Sequence, residues 1–427
     1  MRVEIMTTGE EVLSGQIVDS NAAWISQILS DQGLETARCY TIGDRLEELT
    51  EVMDQRAREA DLIIVNGGLG PTDDDFSAQA AARALGEPLV EFSEWVEALR
   101  HKFTRSGREL TARNLKQAML PRSATMLDNP RGTACGFVIR LHRAWLYFTP
   151  GPPNEMRKMM RDEVMPHLRA HADLPPSAFI KKMTCFGLGE SRINDLVAEI
   201  PLPEGTRLGF RAHFPYTEIK IMGFGDETRA RVDQVAEGMR GVLGANLLFE
   251  DDQSLAGCIQ EAMIDRGLSL ALAESCTGGM VAASLVEVPG SSAYFHRGYV
   301  TYTNASKVDM IGVPNALIES HGAVSLEVAR EMALGAQKHA GTSHAVAISG
   351  IAGPDGGTDS KPVGTVAFAL AHPQGHHACV MALPNWGRAK IRLGATTIAL
   401  DMLRRHLLGK PVYPSYDYAK VTRSEDR

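Results

Sequence analysis

Short apolar runs alternate with helical patterns through residues 1–170. Val3-Glu4-Ile5-Met6 and Asp61-Leu62-Ile63-Ile64-Val65 read as strands, and 21–30 reads as an amphipathic helix. That rhythm predicts βαβ units around a mostly parallel sheet. Asp173-Leu174-Pro175-Pro176-Ser177 reads as a linker. Residues 178–250 then give strands, a short helix after Gly187-Leu188-Gly189 and more strands, a small α+β module. A second α/β series starts after Asp251-Asp252, with strand candidates at 268–272, 299–303, 344–349 and 363–371 and helical stretches such as 326–340 between them. The chain becomes polar past residue 410, so 411–427 is expected to be a loosely held tail. The expected fold class is α/β in three parts, 1–170, 178–250 and 253–410, with no internal repeat.

Composition agrees with several cores: 427 residues at 44% hydrophobic can bury two or three of them. A formal net charge of -8 argues against general nucleic-acid binding, which needs clustered Lys and Arg. The six cysteines lack CxxC or CxxH spacing, so neither a zinc site nor a disulfide framework is suggested. No apolar stretch reaches the roughly 18 residues of a membrane helix, and a cytoplasmic protein with no membrane partner is expected.

Polar clusters fall at the strand ends of the last third. Leu268-Ser269-Leu270-Ala271-Leu272 runs into Ala273-Glu274-Ser275-Cys276-Thr277-Gly278-Gly279 before a helical segment. Small residues there would let a ligand reach backbone N–H groups at a helix start, where the dipole favours an anion such as phosphate. Pro289-Gly290-Ser291-Ser292, then Tyr302 and Lys307, add hydroxyls, a phenol and an amine. Ser349-Gly350-Ile351-Ala352-Gly353 and Lys361-Pro362-Val363-Gly364-Thr365 supply further turns. In an open α/β sheet such clusters converge on one crevice. Ser, Tyr and Lys without a triad His suggest a serine nucleophile with Lys or Tyr taking its proton, provided the pKa of Lys307 is lowered. The plainer reading makes Ser275 a helix N-cap, Tyr302 packing and Cys276 a small buried residue.

In the first third, Asn66-Gly67-Gly68-Leu69-Gly70 follows a strand and leads to Asp73-Asp74-Asp75. Glycines allow close approach to phosphate, and Asp oxygens suit a hard cation bridging a diphosphate. Thr149-Pro150-Gly151-Pro152-Pro153 repeats the arrangement at another strand end.

At these residues a resemblance becomes specific. Residues 273–279, 290–292, 298–307, 321–325 and 349–365 resemble the C-terminal domain of the CinA family, the competence/damage-inducible proteins. The resemblance implies a nicotinamide-nucleotide amidohydrolase that converts nicotinamide mononucleotide to the nicotinate form plus ammonia, in pyridine-nucleotide salvage and without a cofactor. Carried over, Ser275, Ser292, Tyr302 and Lys307 are the catalytic set, with the attacking serine left open. Thr277, Gly278, Gly279, Gly350, Gly353 and Arg388 would hold substrate. Around Arg388 the family's Asp and Gln are absent, with Trp386 and Gly394 in this chain.

Residues 8–15, 19–21, 67–75, 116–118, 129–134 and 150–153 are similar to the family's N-terminal domain, a molybdopterin-binding MoaB/MogA-like fold that is a metal-dependent ADP-ribose pyrophosphatase in some members. The resemblance implies a diphosphate cradle at Gly67, Gly68 and Gly70, and a divalent metal or acid/base role for Asp44 and Asp75. Asn66 and Ser77 stand where Thr is usual, and Cys135 replaces a Pro. The middle segment resembles a KH-like module, read as a spacer or dimer interface because Gly187-Leu188-Gly189-Glu190 lacks a cation. The expected partners are small nucleotides and a second copy in a homodimer. The family name also admits a protein-binding role in competence or DNA repair, and the N-terminal domain a molybdopterin-binding one.

Overall fold

A computed structural model describes residues 1–427 except Ser177, Pro414 and Ser415, so the last residue of the expected linker lies outside the described residues. The chain divides into two compact units, Met1–Phe179 with Phe224–Asp226, and Ile180–Gly223 with Glu227–Arg427.

The first unit is built on a six-stranded sheet in the order Thr36–Ile42, Val3–Thr8, Leu62–Asn66, Ala144–Thr149, Gly136–Leu141, Thr125–Leu127. The first four strands are parallel and the last two antiparallel. Leu62–Asn66 is buried along its whole length because helices cover both faces. With a side-chain period of two, Ile63 and Val65 enter a core with Leu49, Met53 and Trp95, whereas Leu62 and Ile64 enter one with Ile25, Leu29 and Met156. The parallel strands all end at one edge, at Thr8, Asn66 and Thr149.

The second unit contains two sheets. Four strands in the order Thr206–His213, Tyr216–Phe224, Ala178–Phe186, Leu247–Glu250 form the middle module. The larger sheet runs Phe295–Val300, Leu270–Glu274, His344–Gly350, Thr365–His372, Gly375–Ala382, Lys420–Asp426. Its first three strands are parallel and its last three antiparallel. Helix Arg388–Leu407 packs on one face with Leu270 and Leu272, and helix Leu326–Ala340 on the other with Ala271 and Ala273.

Two expectations are corrected. The strand expected at 299–303 is Phe295–Val300, because Thr303 is claimed as the N-cap of helix Asn304–Ile311, accepting from Ser306 N at 3.1 Å. The expected loose tail is tied down. Lys420–Asp426 pairs antiparallel with Gly375–Ala382, and Tyr416 is buried with its hydroxyl donating to Asp401 Oδ2 at 2.8 Å. Backbone pairing and a few aromatic anchors order a segment whose polarity carries no strand pattern.

Candidate active site

The parallel strand Leu270–Glu274 ends where two other elements meet it. Thr301 N donates to Glu274 O at 2.8 Å, and Ser275 N donates to Ile348 O at 3.0 Å, so the turns after three strands share one edge. On that edge Lys307 Nζ donates to Ser275 Oγ at 3.2 Å and to Thr301 O at 2.8 Å. Lys307 is 1% exposed, and no carboxylate pairs with it among the described residues. Burial draws its pKa below the usual lysine range, an effect only partly opposed by the Cys276 thiol. Its proton is held less tightly than that of a solvated lysine, and the amine faces a serine hydroxyl.

The same turn is stapled from outside. Arg392 Nε donates to Cys276 O at 3.0 Å and Nη2 to Thr277 O at 2.8 Å. Arg388, one helical turn earlier, donates to Gly353 O and to the Tyr302 hydroxyl, both at 2.8 Å. Tyr302 is thereby held at the rim, 57% exposed, while Gly350 packs so tightly on Cys276 that a Cβ would lie 2.9 Å from its sulfur. Cys276 is a buried packing residue, its thiol pushed up to about 12 by burial.

Sequence reasoning misplaced two features here. The helix start after Gly279 already holds an anion: Glu274, 1% exposed, accepts from Gly279 N at 2.9 Å, Val281 N at 3.2 Å and Ala282 N at 2.9 Å. Gly278 N is also spent, on Ser275 O at 3.1 Å. The amides of Gly278 and Gly279 are therefore unavailable to a phosphate. The signal was a lone Glu closing an apolar strand. Among the described residues, no acceptor takes the N–H of Cys276 or Thr277, and Thr277 Oγ1 is buried without a partner.

Ser292 is the second correction. It lies in the turn Ser291–Ala293 before Phe295–Val300, and parallel pairing of Leu270 with Phe295 and Glu274 with Val300 puts that turn at the opposite end of the sheet. Five strand residues, about 16 Å, separate it from the Ser275 edge. Of the two serines, Ser275 alone meets Lys307. Arg392 and the Thr301 carbonyl are the contributors sequence reasoning missed. Gly394, where a family glutamine is absent, lies against Trp386 and Phe214, whose rings would be 3.4 and 3.5 Å from an added Cβ.

In the first unit, a cleft of about 380 Å³ opens over the strand ends, lined among others by Thr8, Asp44, Gly67, Gly68, Gly70 and Asp75. Gly67 has φ +107° and Gly68 φ +67°, and added Cβ atoms would lie 2.7 Å from Thr8 O and 2.4 Å from Ser77 Oγ. A Cβ at Gly70 would come 2.5 Å from Asp75 Oδ2, so glycine is required for the turn to close on that carboxylate. Asn66 anchors the turn sideways, its Nδ2 donating to Thr149 Oγ1 at 3.1 Å and Pro150 O at 2.7 Å. Burial, and next the charges of Glu11, Asp74 and Asp75, raise the pKa of Asp44 against one backbone bond from Glu10. Thr8 Oγ1 and Gln117 Oε1, in the same cleft lining, are buried without partners among the described residues. Asp44 and Asp75 share the cleft, but among the described residues no group of three carboxylates there comes within ligating reach.

Two α/β units, one with a glycine-lined cleft and one with a buried serine–lysine pair, define the class of protein. Residues 252–407 match the CinA C-terminal domain and residues 4–170 the probable molybdopterin binding domain. The chain is 48% identical over 423 residues to a CinA-like protein of Shewanella denitrificans, covering 99% of both. It is 49% identical over 416 residues, 97% of this chain and 98% of the relative, to a Shewanella oneidensis protein named nicotinamide-nucleotide amidohydrolase PncC. A solved structure of a competence/damage inducible protein from Agrobacterium tumefaciens is 44% identical over 36% of this chain and 93% of its own, with a TM-score of 0.35. The chain belongs to the CinA family, with a MoaB/MogA-like N-terminal domain and a CinA C-terminal domain.

Proposed function

We propose that the chain hydrolyses the carboxamide of nicotinamide mononucleotide at Ser275, releasing ammonia and nicotinate mononucleotide. One observation carries the reading: a buried amine that no carboxylate pairs with among the described residues, 3.2 Å from a serine hydroxyl at the shared strand edge. The name of the Shewanella oneidensis relative supports the substrate class.

Neutral Lys307 takes the Ser275 proton as Oγ attacks the carboxamide carbon. The N–H groups of Cys276 and Thr277 are the donors left for the developing oxyanion, since the neighbouring amides are spent. As the tetrahedral intermediate collapses, the Lys307 ammonium returns the proton to the departing nitrogen, which leaves as ammonia. Water then attacks the acyl-serine while Lys307 again accepts a proton, which it returns to Ser275 Oγ as the ester bond breaks; the acid product gives its own proton to solvent and leaves as a carboxylate. Arg392, gripping the carbonyls of Cys276 and Thr277, fixes the turn through both steps. The test is ammonia release from nicotinamide mononucleotide by the full chain. Absence of release by the wild type would sink the proposal.

A second activity in the first unit has its own support, the open cleft with two unpartnered buried oxygens and a destabilised carboxylate. An all-oxygen donor set of Asp44, Asp75 and Thr8 fits a hard divalent cation. Because no third carboxylate joins them, such an ion would draw further ligands from a substrate diphosphate and neutralise its charge. Gly67, Gly68 and Gly70 would lie under that diphosphate. Hydrolysis of ADP-ribose that requires divalent metal and disappears in Asp75→Asn is the expected result. Equal turnover after removal of metal would exclude it.

A further inference from the structure

We propose that His372, His377 and His406 form a binding site for a borderline divalent transition metal, zinc above all, at the end of the large sheet far from Ser275. Each offers a ring nitrogen, and these nitrogens lie within 4.8 Å of one another. The strand Thr365–His372 runs antiparallel to His344–Gly350, with Ala371 opposite Ala345 and Val366 opposite Gly350. His372 therefore sits at the edge away from Ile348 and the serine turn. His377 follows it across the hairpin, and His406 comes from the last turn of Arg388–Leu407.

Hydrogen bonding orients two of the three rings. His377 Nδ1 is 2.6 Å from Asp426 Oδ1, and a carboxylate only accepts, so in the neutral ring Nδ1 carries the hydrogen and Nε2 is the nitrogen left to ligate. His372 Nδ1 lies 3.2 Å from Gln374 Oε1, which orients that ring in the same way. Its Nε2 is buried and has no hydrogen-bond partner among the described residues. Ring stacking explains the 4.9 Å separation of His372 and His377, but it leaves that buried lone pair unsatisfied. A metal satisfies it. The carboxylate behind His377 is the usual outer partner of a ligating imidazole, and the Tyr413 hydroxyl, 2.7 Å from the same oxygen, holds it in place.

An all-imidazole set selects zinc, copper, nickel or cobalt over magnesium or calcium. Zn–N bonds near 2.0–2.1 Å require nitrogens about 3.4 Å apart, so side-chain rotations must draw the three together. A groove lined by His377, His406, Lys410, Tyr413 and Asp426 provides the access route, leaving the fourth position to water. The ion would join the hairpin to the long helix and, through Asp426, to the C-terminal strand, a structural clip separate from the amidase chemistry.

The experiment uses tag-free full-length protein stripped of metal and titrated with Co2+ as a spectroscopic probe and with Zn2+ for stoichiometry. The expected result is a tetrahedral Co2+ absorption band that saturates with one equivalent at the histidines, kept in Asp75→Asn, which removes the cation cleft of the first unit, and lost in His406→Gln. His377→Gln should likewise abolish the band, and Asp426→Asn should weaken binding about 10- to 100-fold. Asp426 is at the surface, so its variant tests the site even where a histidine variant fails to fold. An unchanged band in His377→Gln or Asp426→Asn, or no tetrahedral band in the wild type, would overturn the site.

Discussion

Lys307 and Asp44 each sit where their charge is costly, at strand ends of the same general build, yet the surroundings relieve them in opposite ways. Around Lys307 the described residues supply only a carbonyl and a hydroxyl, so burial pulls its pKa down and its proton is held less tightly. Around Asp44 they supply burial and further carboxylates, so the group is relieved by gaining a proton or by gaining a cation. The glycine turns beside them differ for a related reason. Glu274 folds back onto its own helix start and fills it, whereas Asn66 bonds sideways and leaves the Gly67–Gly70 turn facing an open cleft. A glycine-rich turn at a strand end is an anion site only if the chain has not already put its own anion there.

The comparison breaks most sharply at the serine. Ser275→Ala should lower ammonia release on the order of 10⁴-fold or more with the fold intact by circular dichroism. Lys307→Met should cost about 10² to 10⁴ in kcat, while its melting temperature stays level or rises, because the buried amine and its desolvation are removed. A fall in both would make Lys307 a structural residue. In the wild type, kcat/KM should climb with pH through a group titrating below the ordinary lysine range, and that limb should vanish in Lys307→Met. The folded pKa lies below the unfolded one, so the unfolded chain binds more protons between them and Lys307's contribution to stability rises with pH across that window.

Glu274→Gln tests the filled helix start. Weakening three charge-assisted bonds should cost about 1–3 kcal/mol in chemical denaturation, and the amidase rate should fall as the Ser275 turn loosens. A smaller effect is expected from Asp44→Asn. The folded Asp44 pKa is raised, so its contribution to stability is lost as pH rises through that value; the amide should lift the melting temperature of metal-free protein at neutral pH. The same variant should abolish stabilisation by added Mg2+ or Mn2+, and an undiminished Mg2+ shift would remove Asp44 from the cleft's cation chemistry. Tyr302→Phe is the mildest. It removes one exposed hydroxyl held by Arg388, and KM should change by about tenfold or less.

Much of this was legible before any coordinates. Continuous apolar runs gave the buried strands, because a strand covered on both faces must be apolar at every position. Gly67 and Gly68 were readable as a glycine-rich turn open to a phosphate, and Ser275, Ser292, Tyr302 and Lys307 could be named as a catalytic set with the attacking serine open. What sequence could not give was the address of each group in space. Ser292 and Ser275 look equivalent along the chain, and only parallel pairing puts them at opposite ends of the sheet. The tail lacks an apolar pattern, and a neighbouring strand's unpaired backbone is what orders it.

Taken alone, the sequence determined which residues can carry charge, donate, attack or turn, since these are properties of side chains and of local backbone. Tertiary structure alone decided which of them meet. Glu274 became a helix cap rather than an acid, and Lys307 a buried amine of lowered pKa rather than a solvated cation. Three histidines from two strands and a helix were brought together. Proximity and burial arise from pairing between residues far apart in the chain, and those set the pKa and the partners of every group here.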